Sequence, residues 1–189
     1  MENTVGSLTE VQESIIVGKL LGDGSLRRKK NTLLEINHSS RQKEYVYWLY
    51  EQLKTIVLTP PKLRKSGNNR FSYRFTTASI KELNSSFEDF YLRKSYKSVP
   101  ITLKLNGLSL AIWFMDDGSK SRDTVYLNTQ QFDIDSQQIL KKALNELQLA
   151  TSLNRDKIYY RIRLRNSCMR KFAELVKPYV IKSMLYKLP

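Results

Sequence analysis

Two segments of the chain carry nearly the same pattern, and their spacing divides the chain into halves. The segments Ile16–Gly24 and Leu110–Gly118 are both apolar, helix-like runs that end in an aspartate followed by a glycine. The two aspartates, Asp23 and Asp117, lie almost half of the 189-residue chain apart. This spacing predicts an internal duplication, in which each half folds around one such helix.

The position of these aspartates also predicts their chemistry. An aspartate at the C-terminal end of a helix meets the negative end of the helix dipole. Two such carboxylates brought together repel each other unless a cation lies between them. Carboxylates and last-turn carbonyl oxygens are the donors that hard divalent cations prefer. The duplication therefore predicts a metal-dependent active site on a pseudo-twofold axis.

Composition limits the partners that the chain can have. It has 32 Lys and Arg residues against 18 Asp and Glu residues, and a net charge of +14. Such a positive potential favours a polyanionic partner such as nucleic acid. Hydrophobic residues make up 41% of the chain, which predicts a packed core rather than disorder.

The soft metal ligands and the apolar stretches exclude other classes of protein. Cys168 is the single cysteine, so no intramolecular disulfide can form and a reducing compartment is expected. With His38 as the single histidine, a structural zinc site is excluded. No stretch approaches the ~20 apolar residues of a membrane span. The first residues resemble neither a signal peptide nor a transit peptide.

Periodicity and turn signals predict the same element order, α-β-β-α-β-β-α, in both halves. We therefore expect an α+β fold with two antiparallel four-stranded sheets, a first repeat at 1–95, a linker at 96–107 and a second repeat at 108–189. Thr9 to Gln12 is a candidate capping box for the first helix, and Asp135 is a candidate cap in the second half. A turn at Ser66–Asn69 is expected to join the hairpin of the first repeat.

The predicted hairpins carry the argument for nucleic-acid binding. With a period of two, Ile158, Tyr160, Ile162 and Leu164 are expected to face a core, while the intervening arginines face outward. A β-ribbon fits the DNA major groove, where arginine binds guanine edges or phosphates. The alternative is a solvated sheet face whose charges resist edge pairing. The candidate DNA-binding residues are Arg27, Arg28, Lys29, Lys30, Lys62, Arg64, Arg70, Arg74, Lys120, Arg122, Arg155, Lys157, Arg161, Arg163 and Arg165.

Five strings carry a resemblance to a known family. The chain resembles the LAGLIDADG homing endonucleases of the single-chain type with two motifs, and the resemblance covers essentially the whole chain. The block Leu108–Gly118, which contains Ser-Leu-Ala-Ile-Trp-Phe-Met-Asp-Asp-Gly, is its most specific part. The other strings are Leu20–Asp23, Lys97–Pro100, Leu127–Gln130 and Lys177–Pro189.

The resemblance implies a fold and an activity. The motif helices are expected to lie side by side at the domain interface, with the two sheets forming a saddle over the DNA major groove. The implied activity is site-specific cutting of double-stranded DNA at a long asymmetric target, which leaves 3′ overhangs and serves intron homing. A monomer without membrane association is implied, inside an organelle, with the mitochondrion favoured over the chloroplast.

The resemblance also implies the roles of particular residues. Asp23 and Asp117 are expected to bind two or three catalytic divalent cations, normally Mg²⁺, with Mn²⁺ as a substitute. The backbone carbonyls of Gly22 and Asp116 are expected to help hold these ions. Lysines at the positions of Lys97 and Lys187 are expected to lie near the metals and act on the charge at the scissile phosphate.

Several alternatives remain open at this point. The side chain of Asp116 competes with that of Asp117 for the role of metal ligand. Lys97 and Lys187 are also compatible with ordinary surface charge. Related proteins of this fold include intron RNA maturases, with intron RNA as the partner, and non-catalytic DNA-binding proteins.

Overall fold

The computed structural model describes residues 7–65, 67, 70–91 and 96–189. The chain divides into two compact units, Met1–Glu88 and Asp89–Pro189. Each unit contains one antiparallel four-stranded sheet together with helices. The α+β prediction with two such sheets is therefore confirmed. Three residues of the predicted turn (Ser66, Asn68 and Asn69) lie outside the described residues.

The first unit begins with the motif helix α1. The predicted capping box is confirmed: the Thr9 hydroxyl accepts from the Gln12 N–H, and the Gln12 side chain accepts from the Thr9 N–H. The strand order in the sheet is β1-β2-β4-β3. The elements are α1 (Glu10–Leu21), β1 (Ser25–Arg28), β2 (Thr32–Ser39), α2 (Lys43–Leu53), β3 (Lys62–Lys65), β4 (Phe71–Thr76) and α3 (Asn84–Phe90).

The second unit repeats this order around the second motif helix. Asn106 caps α4, and the strand order is β5-β6-β8-β7. The cap of α5 is Asp133, whose side chain accepts from the Ser136 N–H; the prediction of Asp135 was wrong, since that residue lies in the first turn. The elements are α4 (Gly107–Asp117), β5 (Gly118–Ser121), β6 (Thr124–Leu127), α5 (Ile134–Glu146), β7 (Thr151–Asp156), β8 (Tyr159–Leu164) and α6 (Met169–Val176).

Each sheet has an apolar face that packs on helices and a polar face. In the first unit α2 contacts β2 and β4, and Leu34 and Ile36 on β2 are fully buried. Side chains alternate along a strand, so Leu33, Glu35 and Asn37 lie on the opposite face. In the second unit α5 contacts β7 and β8 in the same way. Among the described residues, no helix combines the length and the apolar character that crossing a membrane requires.

The predicted burial of β8 holds for only part of the strand. Ile162 and Leu164 are fully buried, but Ile158 and Tyr160 are 75% and 41% exposed. The cause is the register, since β6 pairs with β8 only at Arg163 and Ile162. The tip of the β7–β8 hairpin therefore extends beyond the part of β8 that pairs with β6.

Candidate metal and nucleic-acid sites

Asp23 lies directly after the last turn of α1. The Gly22 N–H donates to the Gly18 carbonyl at 3.1 Å, and the Gly24 N–H donates to the Lys19 carbonyl at 2.8 Å. These two bonds close the helix end around Asp23, whose side chain is 48% exposed. A Cβ atom at Gly24 would lie 2.8 Å from the Lys19 carbonyl oxygen. Glycine after the aspartate is therefore a steric requirement of this helix end.

Asp117 occupies the corresponding place at the end of α4. The Gly118 N–H donates to the Phe114 carbonyl, and a Cβ atom at Gly118 would overlap both the ring and the carbonyl of Phe114. The Gln131 amide donates to the Asp117 carboxylate at 3.4 Å. The same steric rule therefore explains the glycine in both copies of the motif.

Lys187 reaches the end of α4 from the last segment of the chain. Its ammonium donates to the Met115 carbonyl and, at 3.3 Å, to the Asp116 carbonyl. A cation at the C-terminal end of a helix is favoured by the helix dipole. The expectation that Lys187 lies near bound metals stays a prediction; in the structure the Asp116 carbonyl is an acceptor for that lysine. Lys97 lies half-buried, two residues before the buried Val99.

A buried lysine and histidine lie behind Asp23. Lys19 is fully buried, and its Nζ atom lies 2.6 Å from His38 Nε2 and 5.5 Å from the centroid of the Tyr45 ring. The other ring nitrogen, His38 Nδ1, lies 3.5 Å from Asp23 Oδ2. The histidine thus links a buried ammonium to the exposed carboxylate at the end of α1.

The donors at the two helix ends fit a hard divalent cation. Asp23 and Asp117 offer carboxylate oxygens, and the adjoining last turns offer carbonyl oxygens. Oxygen donors of this kind suit Mg²⁺, Mn²⁺ and Ca²⁺. Cys168 cannot add a soft donor, since it is buried and its burial raises the thiol pKa.

The polar face of the first sheet carries two arginines joined through one glutamate. Glu35, which is buried, lies 2.9 Å from the Arg27 guanidinium and also accepts from Arg74. A groove of about 560 Å³ runs beside this cluster. Residues that line the groove include Asn37, Lys62, Arg64, Arg74 and Thr76.

Arg28 differs from the other basic residues predicted for this sheet. Its guanidinium pairs with Glu88 at 2.9 Å and lies 5.5 Å from the centroid of the Phe87 ring. Both partners belong to α3, so this side chain points to the helical side of the sheet. The remaining predicted basic residues of the first unit, Lys29, Lys30, Lys62, Arg64 and Arg70, are exposed.

The polar face of the second sheet presents two arginines, and one of them lies over a tyrosine ring. The Arg161 guanidinium lies 4.2 Å from the centroid of the Tyr126 ring. The Nε atoms of Arg161 and Arg163 are buried and have no hydrogen-bond partner within the described part of the chain. The pairing register puts Lys120 opposite Val125 and Arg155 opposite Tyr160, on the other face. Arg122, Lys157 and Arg165 are exposed.

A model of the LAGLIDADG DNA endonuclease family matches residues 13–172, a range that contains most of α1, all of α4 and both sheets. The chain belongs to the LAGLIDADG DNA endonuclease family. The family resemblance predicted from the motif strings is thereby confirmed.

Two curated relatives and one solved structure match 96% or more of the chain. A probable intron-encoded endonuclease 1 of Wickerhamomyces canadensis is 31% identical over 96% of this chain and 85% of its own length. The cytochrome b mRNA maturase bI2 of Saccharomyces cerevisiae is 28% identical over 100% of this chain, which spans 49% of that relative. The solved homing endonuclease I-WcaI, bound to its DNA recognition sequence, superposes with a TM-score of 0.90 at 27% identity, covering 100% and 90% of the two chains.

Three contributors to these LAGLIDADG sites were not predicted from the sequence. Lys19 interrupts an apolar helix, and His38 follows Leu34 and Ile36 on the buried face of β2. The sequence could have indicated both residues, because a lysine within an apolar helix needs a buried polar partner, and a histidine on the buried face of a strand can be that partner. Glu35 had a similar signal, a lone acid within a basic sheet face, but its arginine partners depend on the pairing of β1, β2 and β4.

Proposed function

We propose that the chain is a site-specific endonuclease that hydrolyses both strands of a long, asymmetric DNA target in intron homing and leaves 3′ overhangs. The observation that carries the proposal is the pair of α-helices that each end in an exposed or half-exposed aspartate beside a sheet with an arginine-bearing polar face. Family membership and the DNA-bound I-WcaI relative support it.

Two or three divalent cations, Mg²⁺ with Mn²⁺ as a substitute, would be held by Asp23 and Asp117 together with the carbonyls of Gly22 and Asp116. Such ions supply an activated water and neutralise charge on the leaving oxygen. The proposal requires the two units to bring Asp23 and Asp117 close together. Lys187, already at the end of α4, and Lys97 would stabilise negative charge on the scissile phosphate.

The polar faces of the two sheets would bind the DNA. Arg27 and Arg74 in the first sheet and Arg161 and Arg163 in the second fit major-groove readout by β-strands. The first face holds its arginines through a glutamate and the second stacks one on a tyrosine, so the two faces would read different sequences. This difference supports the proposal that the protein acts as a monomer on an asymmetric target.

Replacing Asp23 or Asp117 by asparagine tests the proposal. Each variant is expected to lose double-strand cutting on the order of 1,000-fold, because a metal-binding carboxylate supports several kcal/mol of transition-state stabilisation. DNA binding is expected to persist. The assay is Mg²⁺-dependent linearisation of a plasmid that carries a site selected from a randomised DNA library, with EDTA as the zero point.

Arg170→Gln is the matched control, because Arg170 is exposed and pairs with Glu174 within the same helix, α6. It changes the charge by the same amount as each asparagine variant, with the opposite sign, and is expected to cut normally. Normal linearisation by either aspartate variant would contradict the proposed chemistry.

A second candidate function is intron RNA binding as a maturase. The observation that favours it is the similarity of the whole chain to the yeast cytochrome b mRNA maturase bI2. The same relative supports an organellar, mitochondrial setting. A filter-binding competition between the selected DNA and structured intron RNA separates the two functions. A non-catalytic DNA-binding role is less favoured, since both motif acids are present.

A further inference from the structure

His38 joins two groups that the sequence keeps far apart. It lies near the end of β2, on the buried face of the sheet, and its side chain is 2% exposed. Its Nε2 atom meets Lys19 from the middle of α1 and its Nδ1 atom meets Asp23 after the end of that helix. The ring therefore spans from the interior of the unit to the proposed metal-binding carboxylate.

The lysine determines which ring nitrogen carries the proton. A lysine ammonium has three donors and no acceptor, so at 2.6 Å it donates to His38 Nε2. The neutral imidazole then carries its hydrogen on Nδ1. Nδ1 is also the ring atom next to Asp23, since it lies 3.5 Å from Asp23 Oδ2. Lys19 is thus the donor to His38, and the protonated nitrogen of His38 lies next to the Asp23 carboxylate, which is an acceptor.

We propose that His38 is a positioning residue for Asp23, held by Lys19 so that its Nδ1–H orients the carboxylate for a divalent cation. Hydrogen bonds from outer residues commonly fix metal-binding side chains in this way. The burial of Lys19 and His38 restricts the ring to this orientation, and the Tyr45 ring supplies a further contact to the ammonium. The inference rests on the proposed function, in which Asp23 holds the metal.

The second repeat lacks this arrangement. Trp113 stands four residues before Asp117, where the first repeat has Lys19 four residues before Asp23. Trp113 is fully buried and cannot provide an ammonium. Removal of the His38 contact should therefore slow cleavage of the DNA strand that depends most on Asp23, here called the first-site strand, and spare the other strand.

Two substitutions separate positioning from simple stabilisation of the fold. The amide nitrogen of His38→Asn takes the place of Nδ1 and can donate to Asp23. The amide oxygen of His38→Gln takes the place of Nε2 and can accept from Lys19. If His38 positions Asp23, His38→Asn should retain cutting of the first-site strand. His38→Gln should then slow that cutting by about tenfold or more. A purely structural role, which is to satisfy the buried lysine, predicts the reverse order.

The measurement uses the complete chain and a duplex, carrying the selected site, whose two strands have different fluorescent labels. A second readout is a Mn²⁺ titration in which EPR measures the free ion. His38→Gln should weaken Mn²⁺ binding by about tenfold. His38→Asn should leave the Mn²⁺ affinity nearly unchanged. Thr77→Val is the matched control. It removes another buried hydrogen bond of the same unit, so it should lower Tm without a difference between the strands.

Equal rates for the Asn and Gln variants, or equal slowing of both strands with unchanged Mn²⁺ affinity, would overturn the inference. If His38→Asn fails to fold because Lys19 loses its acceptor, the double variant Lys19→Met/His38→Asn removes that charge and should still cut the first-site strand. An unaltered protein that cuts neither strand would contradict the proposed function, while the Mn²⁺ titration would still test His38.

Discussion

Glu35 puts a negative charge on the sheet face that we propose binds DNA. It is 9% exposed and pairs with both Arg27 and Arg74, which come from the strands on either side of it. A carboxylate near phosphates would oppose binding unless cations neutralise it. Its useful effect is therefore to hold two flexible guanidinium groups in fixed directions, as base recognition requires.

Glu35→Gln should loosen this cluster. We expect DNA binding to become stronger overall, because a negative charge is lost, but discrimination against single mismatches under the first unit to fall by about tenfold, about 1.4 kcal/mol. The measurement is competition binding with a panel of mismatched duplexes.

Glu88→Gln serves as the control for this prediction. It removes the same charge on the helical side of the same sheet, where Glu88 pairs with Arg28. It should strengthen binding slightly and leave discrimination intact. If both variants change mismatch discrimination equally, Glu35 has no role in positioning the arginines.

At the residue scale, the sequence predicted the groups whose role follows from repetition and missed those whose role follows from tertiary contact. Asp23 and Asp117 stand out because the motif occurs twice. The contact of Lys19 with His38 needs α1 to pack beside the end of β2, which no local pattern encodes. Arg28 has the charge expected of a DNA-binding residue. Its register position opposite Thr32, however, puts its side chain on the helical side of the sheet, where it pairs with Glu88 of α3.

At the element scale, the glycine after each motif aspartate controls how the helix passes into the first strand. Gly118 and Gly24 both have backbone and side-chain atoms of the preceding helix turn where a Cβ atom would lie. Each strand can therefore start directly beside the helix end, which keeps the aspartate at a fixed distance from the sheet.

Gly118→Ala should force this helix end apart. Overpacking against Phe114 is expected to destabilise the fold by about 1–3 kcal/mol, which corresponds to a Tm lower by about 2–12 °C for a chain of this size. Cutting should also fall, since Asp117 moves with the helix end. Differential scanning calorimetry and the plasmid assay measure the two effects.

Ser119→Ala, one residue later and half-buried, is the control. It should change stability by less than about 0.5 kcal/mol. A Gly118→Ala variant as stable as Ser119→Ala would show that Phe114 does not pack closely enough on Gly118 to require glycine there.

The element order could be read from the sequence because turns and periodicity are local signals. The ends of the strand pairing could not be predicted, since β6 pairs with β8 only at Ile162 and Arg163. The predicted cap of α5, Asp135, differs from the observed cap, Asp133, for a similar reason. Aspartate is an acceptable cap at either position, and the backbone geometry selects Asp133.

At the scale of the whole molecule, the two units share element order and strand order but differ in detail. One contains a glutamate-bridged arginine pair and a buried lysine–histidine pair; the other contains a stacked arginine and a lysine bound to the end of its motif helix. Duplication followed by such divergence fits an enzyme that treats the two strands of one asymmetric duplex differently. We expect Asp23 and Asp117 to bind the metal ions that cleave the DNA.

A crystal structure of the complete chain with its selected duplex and Mn²⁺ tests this claim most directly. We expect anomalous peaks between the two motif helices, with scissile phosphates beside them. Oxygens of Asp23 and Asp117 should lie about 2.1 Å from the ions, a typical distance for a small divalent cation. Peaks that lie away from both aspartates, or carboxylates of the two units that point to different surfaces, would contradict it.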